Sequence, residues 1–109
     1  MDLQTLLDFI EKEDKYLRQY YPDLNDGGHI LARAVKLSEE FGELCNDVLG
    51  HANLQRKSKM DGFEKGNINE EFADIIIVAL LLAKAMDIDV MAGLKGKIKK
   101  IEQRHQDGD

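Results

Sequence analysis

Apolar residues recur at helical spacing in four stretches of this chain. Residues 2–20 carry leucine and isoleucine three or four positions apart, and residues 90–104 repeat that pattern. Between them, residues 28–49 predict a second helix, and residues from about 69 to 86 predict a third. No stretch alternates apolar and polar residues as a strand does. The pattern therefore predicts an all-α fold, a four-helix bundle with short connections.

Several helix ends carry residues that are typical of helix caps. Asp2 and Asp89 are expected to cap the first and fourth helices, and Asn67 or Asn69 the third, because these short polar side chains accept bonds from free backbone N–H groups. Gly50 is expected to end the second helix, since glycine often lies just past a helix.

The third predicted helix is apolar on nearly every side. From Ile75 to Met86 the only polar residue is Lys84. Such a helix is normally buried all round, and one short chain offers too few partners to cover it. We therefore expect a homodimer or homotetramer with this helix near the shared core. The second helix has a narrower apolar arc, expected to face the core, formed by Ile30, Ala34, Leu37, Phe41, Leu44, Cys45 and Val48.

Two pairs of acidic residues stand out on these helices. Glu40 and Glu43 lie on the flank of the arc of the second helix, and Glu71 and Asp74 begin the third. Residues three apart lie about 5–6 Å from each other on one helix face. Two like charges that close repel by about 3 kcal/mol at an effective dielectric constant near 20. If the pairs face one another in a partly buried site, they need a cation.

Composition limits the classes of function. The 109 residues suit one domain, residues 1–109, with a modest core. A net charge of −6 argues against a nucleic-acid partner, and an anionic substrate then needs a metal ion or a local basic patch. The first residues lack the features of a signal peptide, and the longest apolar run is too short to span a bilayer. No membrane partner is expected, and the expected location is cytoplasmic.

Few side chains suit other metals or thiol chemistry. Cys45 is expected to be a small core residue, so neither a disulfide nor a reactive thiol is implied. His29, His51 and His105 are expected to be solvated, and no Cys/His set has zinc spacing. Oxygen ligands without nitrogen or sulfur favour Mg²⁺, or Mn²⁺, and substrate phosphates typically complete such a site.

The segment 51–67 leaves two interpretations open. Its basic residues, with Gly62 and Gly66 among them, are consistent with a solvated connector or with a mobile loop that brings positive charge to a phosphate. Aromatic residues that could stack on a base are few, and each could equally pack in the core or at an interface. They are Tyr16, Tyr20, Tyr21 and Phe63.

These motifs together carry a family resemblance over residues 28 to 104. KLSEEFGEL and EEFADIIIVALLLAKAMDID resemble the two motifs of the MazG-like nucleotide pyrophosphohydrolases, in the all-α NTP pyrophosphatase superfamily. Dimeric dUTPase and phosphoribosyl-ATP pyrophosphohydrolase are relatives in that superfamily. KIKKIEQR is similar to the family's last helix, in which lysine, asparagine and arginine recur. Lys97 and Arg104 match, whereas Ile101 stands where asparagine is common.

The resemblance implies an activity and a set of roles. Such proteins hydrolyse a nucleoside triphosphate between its α- and β-phosphates, giving the monophosphate and pyrophosphate. By analogy, Glu40, Glu43, Glu71 and Asp74 hold Mg²⁺, and Glu39 positions or activates the attacking water. Lys97 is placed to neutralise the leaving pyrophosphate. The resemblance also implies homo-oligomers and a house-cleaning role against non-canonical or surplus nucleotides.

Three alternatives remain open at this point. The chain could be a catalytically silent nucleotide- or metal-binding module, or it could act as a phosphoribosyl-ATP pyrophosphohydrolase. It could also be a structural helical protein whose acids form a solvated face. Binding of Mg²⁺ with a non-hydrolysable nucleotide separates the last from the others, and turnover separates an enzyme from a silent module.

Overall fold

Four helices make up the described part of the chain. The computed structural model describes residues 1–52 and 68–108, and within these ranges there is no strand. The helices are α1 (Leu3–Tyr20), α2 (Asp26–His51), α3 (Ile68–Ala85) and α4 (Val90–Gln106). The predicted all-α class is confirmed. The segment between α2 and α3, which includes most of the basic stretch, Phe63 and Asn67, lies outside the described residues.

Side-chain caps begin three of the helices. Asp2 accepts a hydrogen bond from the backbone N–H of Thr5 at 2.8 Å, and Asp89 accepts one from Ala92 at 3.0 Å. Both caps were predicted. Asn25 caps α2 by accepting from the N–H of Gly28 at 2.7 Å, so this helix begins earlier than expected.

One predicted boundary was wrong. Gly50 does not end α2, because the helix continues to His51 and has Ala52 at its C-cap. Of the two residues predicted to cap α3, Asn69 lies within the first turn, and Asn67 lies outside the described residues. Between α3 and α4 the chain turns sharply at Asp87, whose φ of 57° is a left-handed conformation that aspartate tolerates better than bulkier residues do.

A buried ion pair joins the first three helices. Arg33 of α2 donates to Asp14 of α1 at 2.7 Å and to the backbone carbonyl of Leu81 of α3, also at 2.7 Å. Burial alone raises the pKa of Asp14, but the hydrogen bond and charge of Arg33 and the charge of Arg18 outweigh that effect and lower the pKa. Asp14 is therefore ionised at neutral pH, and its charge is compensated.

The face of α2 that packs against the rest of the chain mixes polar and apolar residues, so the predicted apolar arc is only partly correct. His29, Arg33 and Glu40 are buried and Ile30, Leu37 and Leu44 of the arc are half-buried, whereas Phe41 is 60 % exposed. Cys45 is also exposed and is not a core residue. His29 is not solvated, in contrast to His51 and His105, which are exposed as expected. The packed face is turned away from Phe41 and Cys45 because α2 also places Arg33 and Glu40 against the other helices.

The last helix stands apart from the other three. α2 and α1 both pack on α3, whereas α4 makes only isolated contacts with other helices. The Cα radius of gyration is 17.5 Å, compared with about 13 Å for a compact domain of this length. None of the described helices is long and apolar enough to cross a membrane.

Candidate metal centre

Three of the four predicted ligands converge where α2 meets the start of α3. Glu40 and Glu43 share one face of α2, and Glu71 lies in the first turn of α3 opposite them. One carboxylate oxygen from each lies within 4.8 Å of the other two. We call these three residues the acid cluster. Its geometry follows from the i, i+3 spacing on α2 combined with the packing of α2 against α3.

Two oxygens of the acid cluster are buried without a partner. Glu40 Oε2 and Glu71 Oε2 have no hydrogen-bond partner among the described residues. The other oxygen of Glu40, Oε1, forms an ion pair with Lys36 Nζ at 3.1 Å, and the side chain of Glu40 is only 7 % exposed. A buried carboxylate oxygen without a donor is costly, so each of these oxygens favours a cation beside it.

The surroundings disfavour the ionised form of two acids. Burial, and then the charges of Glu43, Asp47 and Glu40, raise the pKa of Glu71. Burial, the charge of Glu40 and a hydrogen bond with Glu40 raise the pKa of Asp74. Such shifts are typical of carboxylates that share a site without a counter-ion. A bound divalent cation would reverse both effects.

Asp74 differs from the other three predicted ligands. It does not belong to the acid cluster, and its side chain is exposed although it shares a helix face with the buried Leu81. It lies close enough to Glu40 for the charge of Glu40 to raise its pKa. Its position therefore suits a second ligand site or a partner that holds Glu40 in place.

The acid cluster opens into a hollow of about 540 Å³, which we call the acid groove. Glu39, the predicted water-activating residue, lines it together with Glu43 and Glu71. Asn46 and Asp47 also line it, and sequence reasoning did not assign either to the site. Asp47 could have been found from its spacing, since it lies four residues after Glu43 on the same face.

The structure does not bring Lys97 to the acid cluster. Lys97 and Arg104 are exposed and line a separate shallow hollow on α4. Within residues 1–52 and 68–108, neither forms an ion pair with a carboxylate. In this arrangement of the helices, Lys97 is therefore not close enough to the acid cluster of its own chain to neutralise a leaving pyrophosphate there.

A second cavity of about 600 Å³ lies between α1, α2 and α3. Its lining is mostly apolar, including Leu17, Ile77 and Val78, with Tyr21 and the buried His29 among the lining residues. Lys36 also lines it, and the same residue is ion-paired with Glu40. The cavity therefore adjoins the acid cluster. The ring of Tyr20 stacks on that of Tyr16 and contacts the ring of Tyr21 edge-on, so the three rings form one aromatic cluster beside the cavity.

The donor set fits a hard divalent cation. The acid cluster offers carboxylate oxygens only, and two of them are buried and unpartnered. Mg²⁺ and Mn²⁺ prefer such oxygens, while zinc sites normally include histidine or cysteine. Glu40, Glu43 and Glu71 are therefore the residues that would hold the metal.

Metal binding at this site should depend on pH. Because the pKa values of Glu71 and Asp74 are raised, these carboxyls hold protons to a higher pH than free carboxyls do, and a cation must displace those protons. We expect Mg²⁺ affinity to weaken as pH falls through these raised values, with protons released on binding. Calorimetry at neutral and at acidic pH, in two buffers of different protonation enthalpy, measures both effects. Equal affinity at the two pH values, without proton release, would contradict the assignment.

The helices and the acid cluster together describe an all-α protein with carboxylates that could hold a divalent cation. The chain belongs to the MazG nucleotide pyrophosphohydrolase domain family, whose model matches residues 28–108. The match includes the whole acid cluster, α3 and α4 but not α1. Neither the curated proteins nor the solved structures gave a significant match.

Proposed function

We propose that this protein is a Mg²⁺-dependent nucleoside triphosphate pyrophosphohydrolase that converts an (d)NTP and water to the (d)NMP and pyrophosphate. The observation that carries the proposal is the acid cluster, with two buried and unpartnered oxygens, in a chain of the MazG family. A purely structural role would leave both oxygens buried without a donor from any residue in 1–52 or 68–108, whereas buried polar groups normally have a partner.

The residues of the site suit the parts of this reaction. Mg²⁺ or Mn²⁺, when bound, would neutralise the charge that develops on the phosphate oxygens. Glu40, Glu43 and Glu71 hold the cation, and Asp74 adds a carboxylate beside Glu40. Glu39, on the wall of the acid groove, accepts a proton from the attacking water.

The apolar cavity gives the nucleoside a place beside the phosphates. Its volume of about 600 Å³ lies within the range of small-molecule sites. Lys36, which borders both this cavity and Glu40, is placed to meet a phosphate. Tyr21 offers an aromatic ring at the wall of the cavity. The proposal includes a house-cleaning role in the cytoplasmic nucleotide pool, with a homodimer or homotetramer as the active form.

Product analysis tests the proposal. A panel of common, damaged and deoxy nucleoside triphosphates, with phosphoribosyl-ATP added, is incubated with Mg²⁺ and separated by chromatography. We expect monophosphate and pyrophosphate in equal amounts, activity with Mn²⁺, arrest by EDTA and no need for zinc. Nucleoside diphosphate with orthophosphate as products, or full activity without metal, would refute the proposal. Binding of a nucleotide without turnover would favour the silent binding module.

A further inference from the structure

One stripe of polar side chains on α2 connects the acid cluster to the apolar cavity. Glu40, Lys36, Arg33 and His29 follow one another at intervals of four, three and four residues, so they share one side of the helix. The last three line the cavity, and Lys36 is ion-paired with Glu40. From Glu40 to Arg33 the helix rises about 10 Å, which is comparable with the length of a nucleoside. A nucleotide with its phosphates at Glu40 can therefore place its base beside Arg33.

Arg33 has a nitrogen that the described chain leaves without an acceptor. Its Nη1 atom donates to Asp14 and to the backbone carbonyl of Leu81. Its Nη2 atom is buried and has no hydrogen-bond partner within residues 1–52 and 68–108. The whole residue is 5 % exposed. A buried donor without a partner is costly, so an acceptor that enters the cavity and reaches Nη2 gains more there than it would in water.

The surface around Arg33 in this cavity is mainly apolar. Leu17, Ile77 and Val78 are among the residues that supply it. In such a site a small number of polar groups decide which ligand is bound and in which orientation. An arginine side chain donates hydrogen bonds and cannot accept them. Arg33 therefore favours a ligand group that accepts hydrogen bonds over one that donates them.

The bases of nucleotides differ in this property. Guanine, hypoxanthine, uracil, thymine and cytosine each have a ring carbonyl, whose oxygen accepts hydrogen bonds. Adenine has no carbonyl, and it has an amino donor at the position where guanine and hypoxanthine have their 6-oxo group. A 6-oxo purine can therefore accept from Arg33 in an orientation in which adenine would turn one donor toward another.

We infer that Arg33 selects nucleoside triphosphates whose base carries a ring carbonyl and that it disfavours ATP. The carbonyl oxygen accepts from Nη2 of Arg33 while the phosphates lie at the acid cluster. The role assigned to Arg33 rests on the proposed function and names the substrate class of that site. It also gives the buried ion pair a second purpose. Asp14 and the carbonyl of Leu81 hold Nη1 and thereby fix the plane of the guanidinium, which keeps the base-binding nitrogen in place.

A comparison of ITP, UTP and ATP tests the selection. ITP and ATP differ at position 6 of the purine, where inosine has a carbonyl and adenosine an amino group, and UTP represents the pyrimidines. The better of ITP and UTP should have a kcat/KM roughly 10–100-fold above that of ATP, because ATP leaves a buried donor unpaired. An equal kcat/KM for ATP would overturn the selection and leave the proposed function standing.

Arg33→Lys separates recognition of the base from support of the fold. Lysine keeps a cation beside Asp14 but has one nitrogen and no planar fork, so the preference over ATP should fall roughly tenfold. Asp14→Leu combined with Arg33→Met replaces the buried pair by apolar side chains, a change that is often neutral for stability, and should lower the preference in the same way. Glu11→Gln breaks an exposed ion pair with Lys84 and should keep the parent's preference. A preference that survives both changes at Arg33 would show that this residue is structural only.

Calorimetry with the monophosphates gives a measurement that needs no turnover. IMP and UMP should bind the parent more tightly than AMP, and Arg33→Lys should remove most of the difference. This result without hydrolysis of any triphosphate would refute the proposed function, while the selection by Arg33 would stand. AMP bound as tightly as both IMP and UMP would overturn the selection.

Discussion

Replacing Glu71 by glutamine should lower turnover by on the order of 100-fold or more, because a cation loses an anionic ligand and even its outer neighbours matter by 10–100-fold. The metal-free variant should be at least as stable as the parent. The raised pKa of Glu71 shows that its charge is disfavoured in the folded state by burial and by neighbouring acids. Its amide removes that charge and nearly keeps the shape.

Glu70→Gln is the matched control. Glu70 is the preceding residue of α3, is exposed and does not belong to the acid cluster. The same chemical change there should leave turnover close to that of the parent. Thermal melts in EDTA beside single-turnover assays in Mg²⁺ give both quantities. A Glu71→Gln variant that turns over like the parent, or that melts well below it without metal, would show that Glu71 is a structural acid.

Replacing Asp14 by alanine should cause the largest loss of stability. Asp14 and Arg33 have side chains only 9 % and 6 % exposed, and their atoms lie 2.7 Å apart. Removing the carboxylate leaves the guanidinium buried without its counter-charge, which typically costs about 3–5 kcal/mol. For a domain of this size, the melting temperature should fall by more than about 10 °C.

Glu11→Gln is the control for Asp14→Ala, because Glu11 also joins α1 to α3. Its ion pair with Lys84 is short, at 2.6 Å, but the two side chains are 48 % and 41 % exposed. Solvent screens such a pair, so its loss should cost less than about 1 kcal/mol. Comparable destabilisation by the two changes would contradict the special role of the buried pair.

The effect of Asp14 should also depend on pH in a defined direction. Its folded-state pKa is lowered, so its ionised form stabilises the native state above the unfolded value near 3.9. As pH falls below about 4 and through the lower folded-state pKa, this contribution disappears. The difference in unfolding free energy between parent and Asp14→Ala should therefore be constant near neutral pH and shrink in acid.

The helices and their caps were predictable because they depend on local sequence. Apolar spacing located all four, and Asp2 and Asp89 occupy their expected cap positions. The acidic pairs were predictable for the same reason, since i, i+3 spacing alone places Glu40 and Glu43 on one face. That Glu71 faces them depends on packing, and only the resemblance of both motifs to a family suggested it.

The buried face of α2 was only partly predictable from apolar spacing. The pattern correctly included Leu37 and Leu44, which are half-buried, but it was centred on Phe41, whereas the structure buries Arg33 and Glu40. Arg33 finds its partner nineteen residues away, in Asp14, and a carbonyl forty-eight residues away, in Leu81. Local patterns hold no information on such partners. For the same reason the pattern placed Cys45 in the core, although it is exposed.

Direct binding of Mn²⁺ tests most closely whether the acid cluster is a metal centre. Electron paramagnetic resonance reports free Mn²⁺ as it is titrated into the protein with an α,β-methylene nucleotide. We expect saturable loss of the free signal with the parent and with Glu70→Gln, and weak or no loss with Glu40→Gln and Glu71→Gln. A parent that leaves the signal unchanged, or cluster variants that bind Mn²⁺ as tightly as the parent, would show that the acid cluster is not a metal centre.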